Sequence, residues 1–293
     1  MTRPLRIALC QLNSSKKISA NFRNLEEYIS KAAMQGAELV IFSEYCVQGI
    51  VSDAPHLIFE DGEVHTDISQ LALDYKIDIA IGTLVERVEE AVADDNTGEN
   101  KVYNTAYYFD KEGKILGKYR KRNLWHPEKD YMHPGEDEHL VFDTFYGKTG
   151  MLICWDLAWP EAFRALMIQD VDLIIVPSYW TADDTGEGGK KHDPEAKGEI
   201  SWLDSLVISR AYENECIVAF VNCGGPPEQG YIGRSAIAAP FKGCLGRAEG
   251  PEEQMTIVDV DLEILKDARA LYQIKQDYKL AKSKNFGHPM LDD

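Results

Sequence analysis

One stretch of the chain decides the fold, and it reads Gly150-Met151-Leu152-Ile153-Cys154-Trp155-Asp156-Leu157-Ala158-Trp159-Pro160-Glu161. An apolar run ends at Cys154, and Pro160 precedes a segment of good helix formers. Proline is tolerated in the first turn of a helix and not deeper, so the pattern predicts a buried strand, a tight turn and a helix. Cys154 is therefore expected at a strand end, where its thiol can face a pocket and backbone N–H groups can receive developing negative charge.

A cysteine at such a position has two interpretations. It can be a nucleophile, because a thiol at the edge of a sheet can reach a bound substrate. It can also be a buried structural residue, which is the commoner fate of a free cysteine. Cys154 alone does not decide between them, and the rest of the chain has to.

The segments on either side alternate between strand and helix patterns. Residues 6–12 are predicted as a strand, residues 21–34 as a helix with one apolar stripe, and residues 39–42 as a short strand buried on both faces. Residues 67–75 and 77–82 repeat the helix and strand patterns. This alternation predicts an α/β fold built from strand–helix–strand units with parallel strands.

A hairpin and several loops complete the pattern. Residues 102–109 and 114–120 flank the turn Asp110-Lys111-Glu112-Gly113, and the second arm runs into Lys121. Residues 173–176 form a further apolar strand that ends at Pro177-Ser178-Tyr179-Trp180. Three polar segments are predicted as loops: an acidic surface loop at 86–100, a structured loop over the mouth of a pocket at 122–138, and a candidate lid at 181–198.

Length and composition set the broad class. The 293 residues carry a net charge of −18 without a basic stripe, which makes nucleic acid and anionic membranes poor partners. The six cysteines form no C-x-x-C pair, so we expect no disulfide framework, no zinc site and a reducing compartment. No apolar run approaches the length of a membrane span, and the first residues lack a signal-peptide pattern, so the expected location is cytoplasmic.

No low-complexity linker divides the chain. We therefore predict one domain over residues 1–271 and a C-terminal extension over residues 272–293, which packs on the surface or on a partner subunit. Residues 5–43 and 148–177 each follow a strand–helix–strand pattern, which fits two similar halves within the domain.

Three side chains that could take part in catalysis directly follow predicted strands: Glu44, Lys121 and Cys154. Residues at the carboxyl ends of parallel strands lie at one edge of an open α/β sheet, where ligands bind. Singly, each has a plain interpretation, since a carboxylate there is often a cap and a lysine among other basic residues is usually solvated. A shared edge would instead bring a base, a cation and a nucleophile together.

The residues around these three side chains form motifs that appear together and in order. They are Phe42-Ser43-Glu44-Tyr45, Tyr119-Arg120-Lys121-Arg122-Asn123-Leu124 and Ile153-Cys154-Trp155-Asp156, with flanking matches at residues 156–164, 177–180 and 209–214. On these motifs the chain resembles the nitrilase superfamily of carbon–nitrogen hydrolases, from Ile7 to about Val260.

The resemblance implies a fold and a site. The family fold is a four-layer α-β-β-α sandwich with two sheets face to face, and its members usually form dimers through the outer helices. The family triad falls on Glu44, Lys121 and Cys154, and a further carboxylate falls on Glu128. The implied reaction passes through an acyl-thioester, with the oxyanion held by Lys121 and the backbone N–H of Trp155, and it needs no metal or organic cofactor.

Two positions depart from the family pattern. Many members have histidine two residues after the catalytic lysine, where this chain has Asn123. Nitrilases proper resemble Cys-Trp-Glu at the elbow, whereas Asp156 is more typical of amidase branches. We therefore favour a small linear amide or an N-carbamoyl compound as the substrate, with a distal carboxylate meeting a basic residue at the rim as one option. A nitrile is the alternative.

Other side chains have weaker functional interpretations. Tyr45, Tyr179 and Trp180 are candidates for the substrate pocket, although aromatic residues at strand ends are as often plain core. Asp156, Glu161 and Arg164 are interpreted as an ion-pair set that braces the elbow. Lys190, Lys191 and His192 in the candidate lid are interpreted chiefly as solvated charges.

The sequence also allows a metal site and two non-enzyme interpretations. The sequence offers a histidine and glutamate set, His126, His133, His139, Glu128 and Glu136, but its spacing matches no usual ligand motif. The protein could also be a catalytically silent scaffold, which an intact triad argues against, or a redox sensor that uses Cys154. Release of ammonia from an amide would exclude both.

Overall fold

The computed structural model describes residues 4–90 and 99–283 and contains two β-sheets with helices on their outer faces. The strands are β1 Leu5–Gln11, β2 Leu39–Phe42, β3 Phe59–Glu60, β4 Asp78–Glu90, β5 Glu99–Phe109, β6 Ile115–Arg120, β7 Val141–Thr144, β8 Gly147–Met151, β9 Leu173–Pro177, β10 Ile217–Val221, β11 Ala236–Ala239, β12 Gly243–Arg247 and β13 Gln254–Val260. The α-helices are α1 Ile18–Met34, α2 His65–Tyr75, α3 Pro160–Met167, α4 Gly186–His192, α5 Lys197–Glu213, α6 Ile264–Tyr272 and α7 Ile274–Ser283.

Both sheets have a parallel centre and antiparallel edges. The first sheet has the order β13-β1-β2-β4-β5-β6, with β3 beside β4, and the second has the order β12-β11-β10-β9-β8-β7. Strands β1, β2 and β4 run parallel, as do β8, β9 and β10. The predicted units β1-α1-β2 and β8-α3-β9 are therefore both present, and each helix supplies the crossover that a parallel pair needs.

Side-chain alternation along the strands explains the layers. In β1, Ile7 and Leu9 join a core cluster that also holds Ile174 and Phe220 of the second sheet, so this face lies between the sheets. The neighbouring residues Ala8 and Cys10 join a second cluster with residues of α1 and α2. On the far side of the second sheet, residues of α3 and α5 complete the first cluster. The four-layer α-β-β-α sandwich is confirmed.

The prediction that residues 86–100 form a surface loop is wrong at both ends of the segment. Strand β4 continues to Glu90 and β5 begins at Glu99, while residues 91–98 lie outside the described residues. An acidic composition suggested solvent exposure, yet Glu86 is fully buried and accepts a hydrogen bond of 2.7 Å from the hydroxyl of Tyr107 on β5. A cross-strand partner, which a local pattern does not reveal, allows this carboxylate to sit inside a sheet.

Helix α7 lies in the segment predicted as a C-terminal extension, and it packs against the surface of its own chain. The backbone N–H of Ile274 donates to Glu215 Oε1 at 2.8 Å, and the Arg164 guanidinium lies 5.4 Å from the ring centre of Tyr278. Residues 284–293 lie outside the described part. Across the described ranges, every helix is too short or too polar to span a bilayer.

Gly82 of β4 connects the packing of the first sheet to the turn that follows β2. A Cβ atom at this position would lie 1.7 Å from the carbonyl oxygen of Ser43, which directly precedes Glu44. We expect Gly82→Ala to lower the free energy of unfolding by about 3 kcal/mol or more, because backbone on both sides would have to move. Denaturant unfolding monitored by circular dichroism measures the change.

Gly188→Ala is the matched control, since a Cβ atom there meets nothing within 4 Å and the residue lies in α4. This change should be neutral or stabilising by up to about 1 kcal/mol. Equal stability of the two variants would contradict the packing described for Gly82.

Candidate active site

A pocket of about 200 Å³ opens where strands of both sheets end. Its lining includes all of the side chains singled out for the site: Glu44, Tyr45, Lys121, Glu128, Cys154, Trp155, Tyr179 and Trp180. The three residues expected at one sheet edge are thus brought together, although they lie after β2, β6 and β8 of two different sheets.

Glu44 is fully buried and both of its carboxylate oxygens have partners. Oε1 lies 2.9 Å from Lys121 Nζ and accepts a hydrogen bond of 2.8 Å from the Asn104 amide. Oε2 accepts a hydrogen bond of 2.8 Å from the backbone N–H of Tyr179. Burial raises the pKa of Glu44 to about 7, the Lys121 charge opposes this rise, and the Glu128 charge adds to it. A carboxylate with such a pKa can both accept and return a proton near neutral pH.

Lys121 is held between two carboxylates, with only 1% of its side chain exposed. Its Nζ lies 2.9 Å from Glu44 Oε1 and 2.8 Å from Glu128 Oε1. Burial alone would lower the pKa of Lys121, but the charges of Glu44 and Glu128 outweigh it and raise the pKa above its ordinary value. The surroundings of Lys121 therefore favour its positively charged form, which suits a hydrogen-bond donor better than a general acid.

Glu128 is fixed by hydrogen bonds on both oxygens. Its Oε2 accepts a hydrogen bond of 2.7 Å from the backbone N–H of Trp125, and its Oε1 accepts one from the hydroxyl of Tyr45. Glu128 lies in a short 3-10 helix, His126–Asp130, inside the loop predicted over the pocket mouth. This arrangement orients the carboxylate toward Lys121.

Cys154 begins the 3-10 helix Cys154–Ala158, shortly after β8 of the second sheet ends at Met151. Its φ of +46° lies in the left-handed region, which costs a residue other than glycine roughly 1 to 2 kcal/mol and recurs at functional turns. Tyr45, which follows Glu44, has a φ of +59°. Both chemically important turns thus use the same sharp backbone geometry to direct a side chain into the pocket.

The surroundings of Cys154 favour the protonated form of its thiol. Burial raises its pKa well above the ordinary value, the charge of Glu44 raises it further, and the charge of Lys121 acts in the opposite direction. Its Sγ lies 3.9 Å from the carbonyl oxygen of Tyr179. Attack by this sulfur therefore requires a base, and Glu44 lines the same pocket.

Asp156 braces the elbow by hydrogen bonds, and the predicted ion-pair set of Asp156, Glu161 and Arg164 is wrong. Fully buried Asp156 accepts hydrogen bonds from Ile153 N at 2.9 Å, Tyr119 Oη at 2.8 Å and Asn123 Nδ2 at 2.7 Å. Arg164 instead donates to the carbonyl oxygen of Glu213 at 2.9 Å, and Glu161 is exposed.

The contact between Asn123 and Asp156 links two parts of the site. Asn123 follows Lys121 by two residues, and Asp156 follows Cys154 by two residues. The asparagine that departs from the family pattern therefore ties the lysine loop to the cysteine elbow directly. Asp156 is not among the described residues that line the pocket, and it instead holds the backbone of Ile153 and the side chain of Asn123.

Aromatic rings form the walls of the pocket. Tyr45 and Tyr179 meet edge to face with their ring centres 6.0 Å apart, and the Trp155 ring lies 5.4 Å from that of Trp180. Trp125 closes the other side of Trp155, with ring centres 4.5 Å apart. These contacts give the three predicted aromatic residues a place at the site.

Several site residues were not found by sequence reasoning. Asn104 holds Glu44 from the middle of β5, and its signal was a polar residue inside an otherwise apolar strand. Trp125 lines the pocket from a loop and Asp184 from a short 3-10 helix, and no periodic pattern distinguishes either residue. Finding them requires the three-dimensional path of segments that lie far apart in sequence.

Three members of the histidine and glutamate set considered as a metal cluster make other contacts. His133 Nδ1 accepts a hydrogen bond of 3.3 Å from the backbone N–H of Val102. His139 stacks on Tyr119, and burial lowers its pKa to about 4. Glu128 binds Lys121.

A different group of metal-type ligands lies outside the pocket lining. Asp61, His65 and Glu86 bring three ligand atoms within 4.8 Å of one another. Lys118 Nζ lies 3.4 Å from Asp61, and the Tyr107 hydroxyl donates to Glu86 at 2.7 Å, so a protein cation and a hydrogen bond already serve these carboxylates. We assign no metal to this group.

The segment predicted as a strandless lid contains helical structure. It forms the 3-10 helix Ala182–Thr185 and then α4. Thr181 and Asp184 reach the pocket lining, whereas Lys190 forms an ion pair of 2.8 Å with Asp183. Lys191 and His192 are exposed and do not belong to the described lining.

Comparisons with known proteins give a family and a fold. The sequence model of the carbon–nitrogen hydrolase family matches residues 6–270. A nitrilase of Pyrococcus abyssi is 28% identical over 90% of this chain and 93% of its own length. N-carbamoylputrescine amidase of Arabidopsis thaliana is 25% identical, with coverages of 92% and 91%, and 2-oxoglutaramate amidase of Bacillus subtilis is 27% identical, with coverages of 90% and 93%.

Among solved structures, a variant of an amidase from Nesterenkonia sp. AN1 superposes with a TM-score of 0.75. It is 23% identical and covers 97% of each chain, which shows a shared fold. In that protein the acetamide moiety of fluoroacetamide is attached to the active-site cysteine.

The brace formed by Asp156 should be essential to the folded state. Asp156→Ala leaves buried donors on Tyr119, Asn123 and Ile153 without an acceptor, so we expect a loss of about 3 kcal/mol or more in unfolding free energy. Denaturant unfolding provides the measurement. The exposed carboxylate of Glu161 is the matched control, and Glu161→Ala should cost less than about 1 kcal/mol. Similar losses in both variants would contradict the bracing role.

Proposed function

Because this chain belongs to the carbon–nitrogen hydrolase family, we propose that it hydrolyses a small linear amide or N-carbamoyl compound with Cys154 as the nucleophile. Glu44 acts as the general base and acid, and Lys121 stabilises negative charge. The observation that carries this proposal is the contact of 2.9 Å between Glu44 and Lys121 inside the pocket that Cys154 also lines. A base, a fixed cation and a thiol in one pocket are the parts that acyl transfer needs.

The first half of the reaction forms a thioester. Glu44 removes the thiol proton of Cys154 as the sulfur attacks the carbonyl carbon. The resulting oxyanion is held by Lys121 Nζ and the backbone N–H of Trp155, and such donors contribute roughly 3 kcal/mol each in other hydrolases. Protonated Glu44 then gives its proton to the nitrogen, which leaves as ammonia.

The second half releases the acid. Glu44, again ionised, removes a proton from water, and the hydroxyl oxygen attacks the thioester carbon. The carbon–sulfur bond breaks, the thiol regains the proton, and the carboxylic acid departs. The sum is amide plus water giving acid plus ammonia. Glu128 keeps Lys121 in place and lies beside the leaving nitrogen as an auxiliary carboxylate.

Amide hydrolysis is favoured over nitrile hydrolysis. An amide presents a carbonyl oxygen to Lys121, whereas a nitrile first forms a thioimidate and needs two additions of water. The names of relatives include both classes, an archaeal nitrilase and two amidases, at similar identities of 28%, 25% and 27%. A nitrilase proper is therefore the alternative.

A redox-sensing role for Cys154 fits the site less well. Sensor cysteines have a low pKa and are accessible, because the thiolate is the species that oxidants attack. Burial raises the pKa of Cys154, so its resting form is the less reactive thiol. The family match over residues 6–270 likewise supports an enzyme over a silent scaffold.

We also propose a cellular location for the protein and a boundary for its catalytic domain. All six cysteines are free and five are buried, which supports the proposed reducing, cytoplasmic compartment. The family match ends at residue 270, close to the proposed boundary between the domain at 1–271 and the extension at 272–293.

The reaction type is tested by offering one acyl chain as hexanamide and as hexanenitrile. We expect the amide to have the higher kcat/KM by about tenfold or more, measured by ammonia release. Cys154→Ala should lower the amide rate by about 10⁴-fold or more while the protein stays folded. Cys244→Ala, which removes an exposed thiol, is the control and should keep full activity. A faster nitrile would favour the alternative, and an active Cys154→Ala variant would move the chemistry elsewhere.

The pKa of Glu44 predicts the pH dependence. Glu44 must be ionised to accept the thiol proton, and its pKa is raised to about 7, so activity should be present above this pH and lost below it. We expect kcat/KM to fall about tenfold for each pH unit below the limb. The residual activity of Glu44→Gln should lack this limb. An unchanged acidic limb in that variant would assign the titration to another group.

We also propose that the chain forms a homodimer or a larger assembly through its helical surface. Leu271 is 67% exposed, and the ring of Tyr272 lies 5.1 Å from that of exposed Phe241, so apolar side chains face outward here. Light scattering at micromolar concentration should give a particle of at least twice the chain mass of 33.0 kDa. A particle of 33.0 kDa alone would contradict the proposal.

A further inference from the structure

Asp184 is a pocket carboxylate that the proposed reaction does not use. It lies in the 3-10 helix Ala182–Thr185, and its Oδ2 accepts hydrogen bonds from the backbone N–H of Thr181 at 2.7 Å and from the Thr181 hydroxyl at 3.2 Å. No described residue donates a hydrogen bond to its Oδ1. The side chain is therefore held in one orientation, half-buried, with one oxygen available to a ligand.

The charges around the pocket favour a cation. Among the described residues of the lining, Lys121 is the only basic one, and its ammonium is already held between Glu44 and Glu128. Lys190, on the neighbouring helix, pairs with Asp183 instead. The expected basic residue that would meet a distal carboxylate at the rim is thus not found in the described lining.

A second acid strengthens the negative field at this end of the pocket. Glu199 accepts a hydrogen bond of 2.8 Å from the indole N–H of Trp180, and its charge acts on Asp184. Burial raises the pKa of Asp184 to about 6, which leaves it ionised at slightly alkaline pH. The whole chain, at a net charge of −18, also attracts cations and repels anions.

Aromatic rings line the pocket that Asp184 shares with the triad. Trp125, Trp155, Trp180 and Tyr131 line the same pocket. Such rings pack well against a methylene chain, and their faces also attract an ammonium group. An apolar passage with a carboxylate on its wall suits a substrate whose far end is positively charged.

We propose that Asp184 determines specificity by binding a primary ammonium group at the far end of the substrate. This inference rests on the proposed function, since it places the scissile amide or carbamoyl group at Cys154. The substrate class is then a short chain with an amide or carbamoyl group at one end and an amine at the other. The ammonium donates a charge-assisted hydrogen bond to Asp184 Oδ1.

Three primary amides of similar length test the proposal, each with a different end group. They are 5-aminopentanamide, with an ammonium; hexanamide, with a methyl; and 6-amino-6-oxohexanoate, with a carboxylate. We expect the wild-type kcat/KM to be highest for the ammonium amide, by roughly tenfold or more over hexanamide, and lowest for the carboxylate. A carboxylate or methyl substrate that equals or exceeds the ammonium amide overturns the proposal.

Two carboxylate variants localise the effect. Asp184→Asn should reduce the preference for 5-aminopentanamide over hexanamide by about tenfold, mainly through KM. Asp183→Asn removes the same charge one residue away, outside the described lining, and should keep the preference within about twofold. Equal effects of the two changes would reduce the role of Asp184 to general electrostatics and overturn the proposal.

Binding separates this inference from the catalytic proposal. Cys154→Ala cannot form the thioester, so calorimetry with this variant compares the three amides without turnover. Tightest binding of the ammonium amide, weakened by adding Asp184→Asn, supports the inference even if none of the amides is hydrolysed by the wild type. No binding of any amide, or tightest binding of the carboxylate, overturns it. Absence of turnover alone counts only against the proposed function.

Discussion

The ammonium group of Lys121, enclosed between Glu44 and Glu128, is the interaction on which the rest of the site depends. Removing a lysine from water costs several kcal/mol, and the cost is offset only when opposite charges and hydrogen bonds surround it. Here two carboxylates contact the ammonium group. The backbone N–H of Tyr179 donates a hydrogen bond to Glu44, and the backbone N–H of Trp125 donates one to Glu128. The Lys121 ammonium group therefore links Glu44, the loop that carries Glu128 and the turn after β9 that carries Tyr179.

This enclosure also explains how the site divides its protons. Two carboxylates and one ammonium group are buried together, so burial and the Glu128 charge raise the pKa of Glu44 to about 7, and burial and the Glu44 charge raise the pKa of the Cys154 thiol well above its ordinary value. The site thus combines a carboxylate that can exchange protons near neutral pH with a thiol whose protonated form is favoured. The strained φ of +46° at Cys154 directs this thiol into the pocket.

The sequence predicted the elements whose patterns depend on local burial. Apolar strands such as β2 and β9 are buried on both faces, which produces a continuous run that is readily identified, and a strand end marks Glu44. Resemblance to the family motifs then supplied the roles proposed for Lys121 and Glu128. The same resemblance implied the four-layer sandwich, whereas the strand–helix alternation predicted only an α/β fold with parallel strands.

What the sequence did not predict depends on partners far along the chain. Glu86 was assigned to a loop because its hydrogen-bond partner Tyr107 lies 21 residues away on β5. Asp156 was assigned to an ion pair because its partners Tyr119 and Asn123 lie more than 30 residues before it. Asn104 stabilises Glu44 across 60 residues of sequence. In each case a polar group is buried, and its identity makes sense only when the acceptor or donor opposite is known.

The hydrogen bond between Asn123 and Asp156 has a consequence for how this enzyme can diverge. Asn123 donates from the lysine loop and is half-buried, whereas Asp156 accepts from the cysteine elbow and is fully buried. A change of donor character at position 123 would leave a buried carboxylate under-satisfied, and a change at position 156 would orphan the amide. The two positions are therefore chemically coupled, so the loss of a donor at position 123 should be tolerated best when the acceptor at position 156 changes with it.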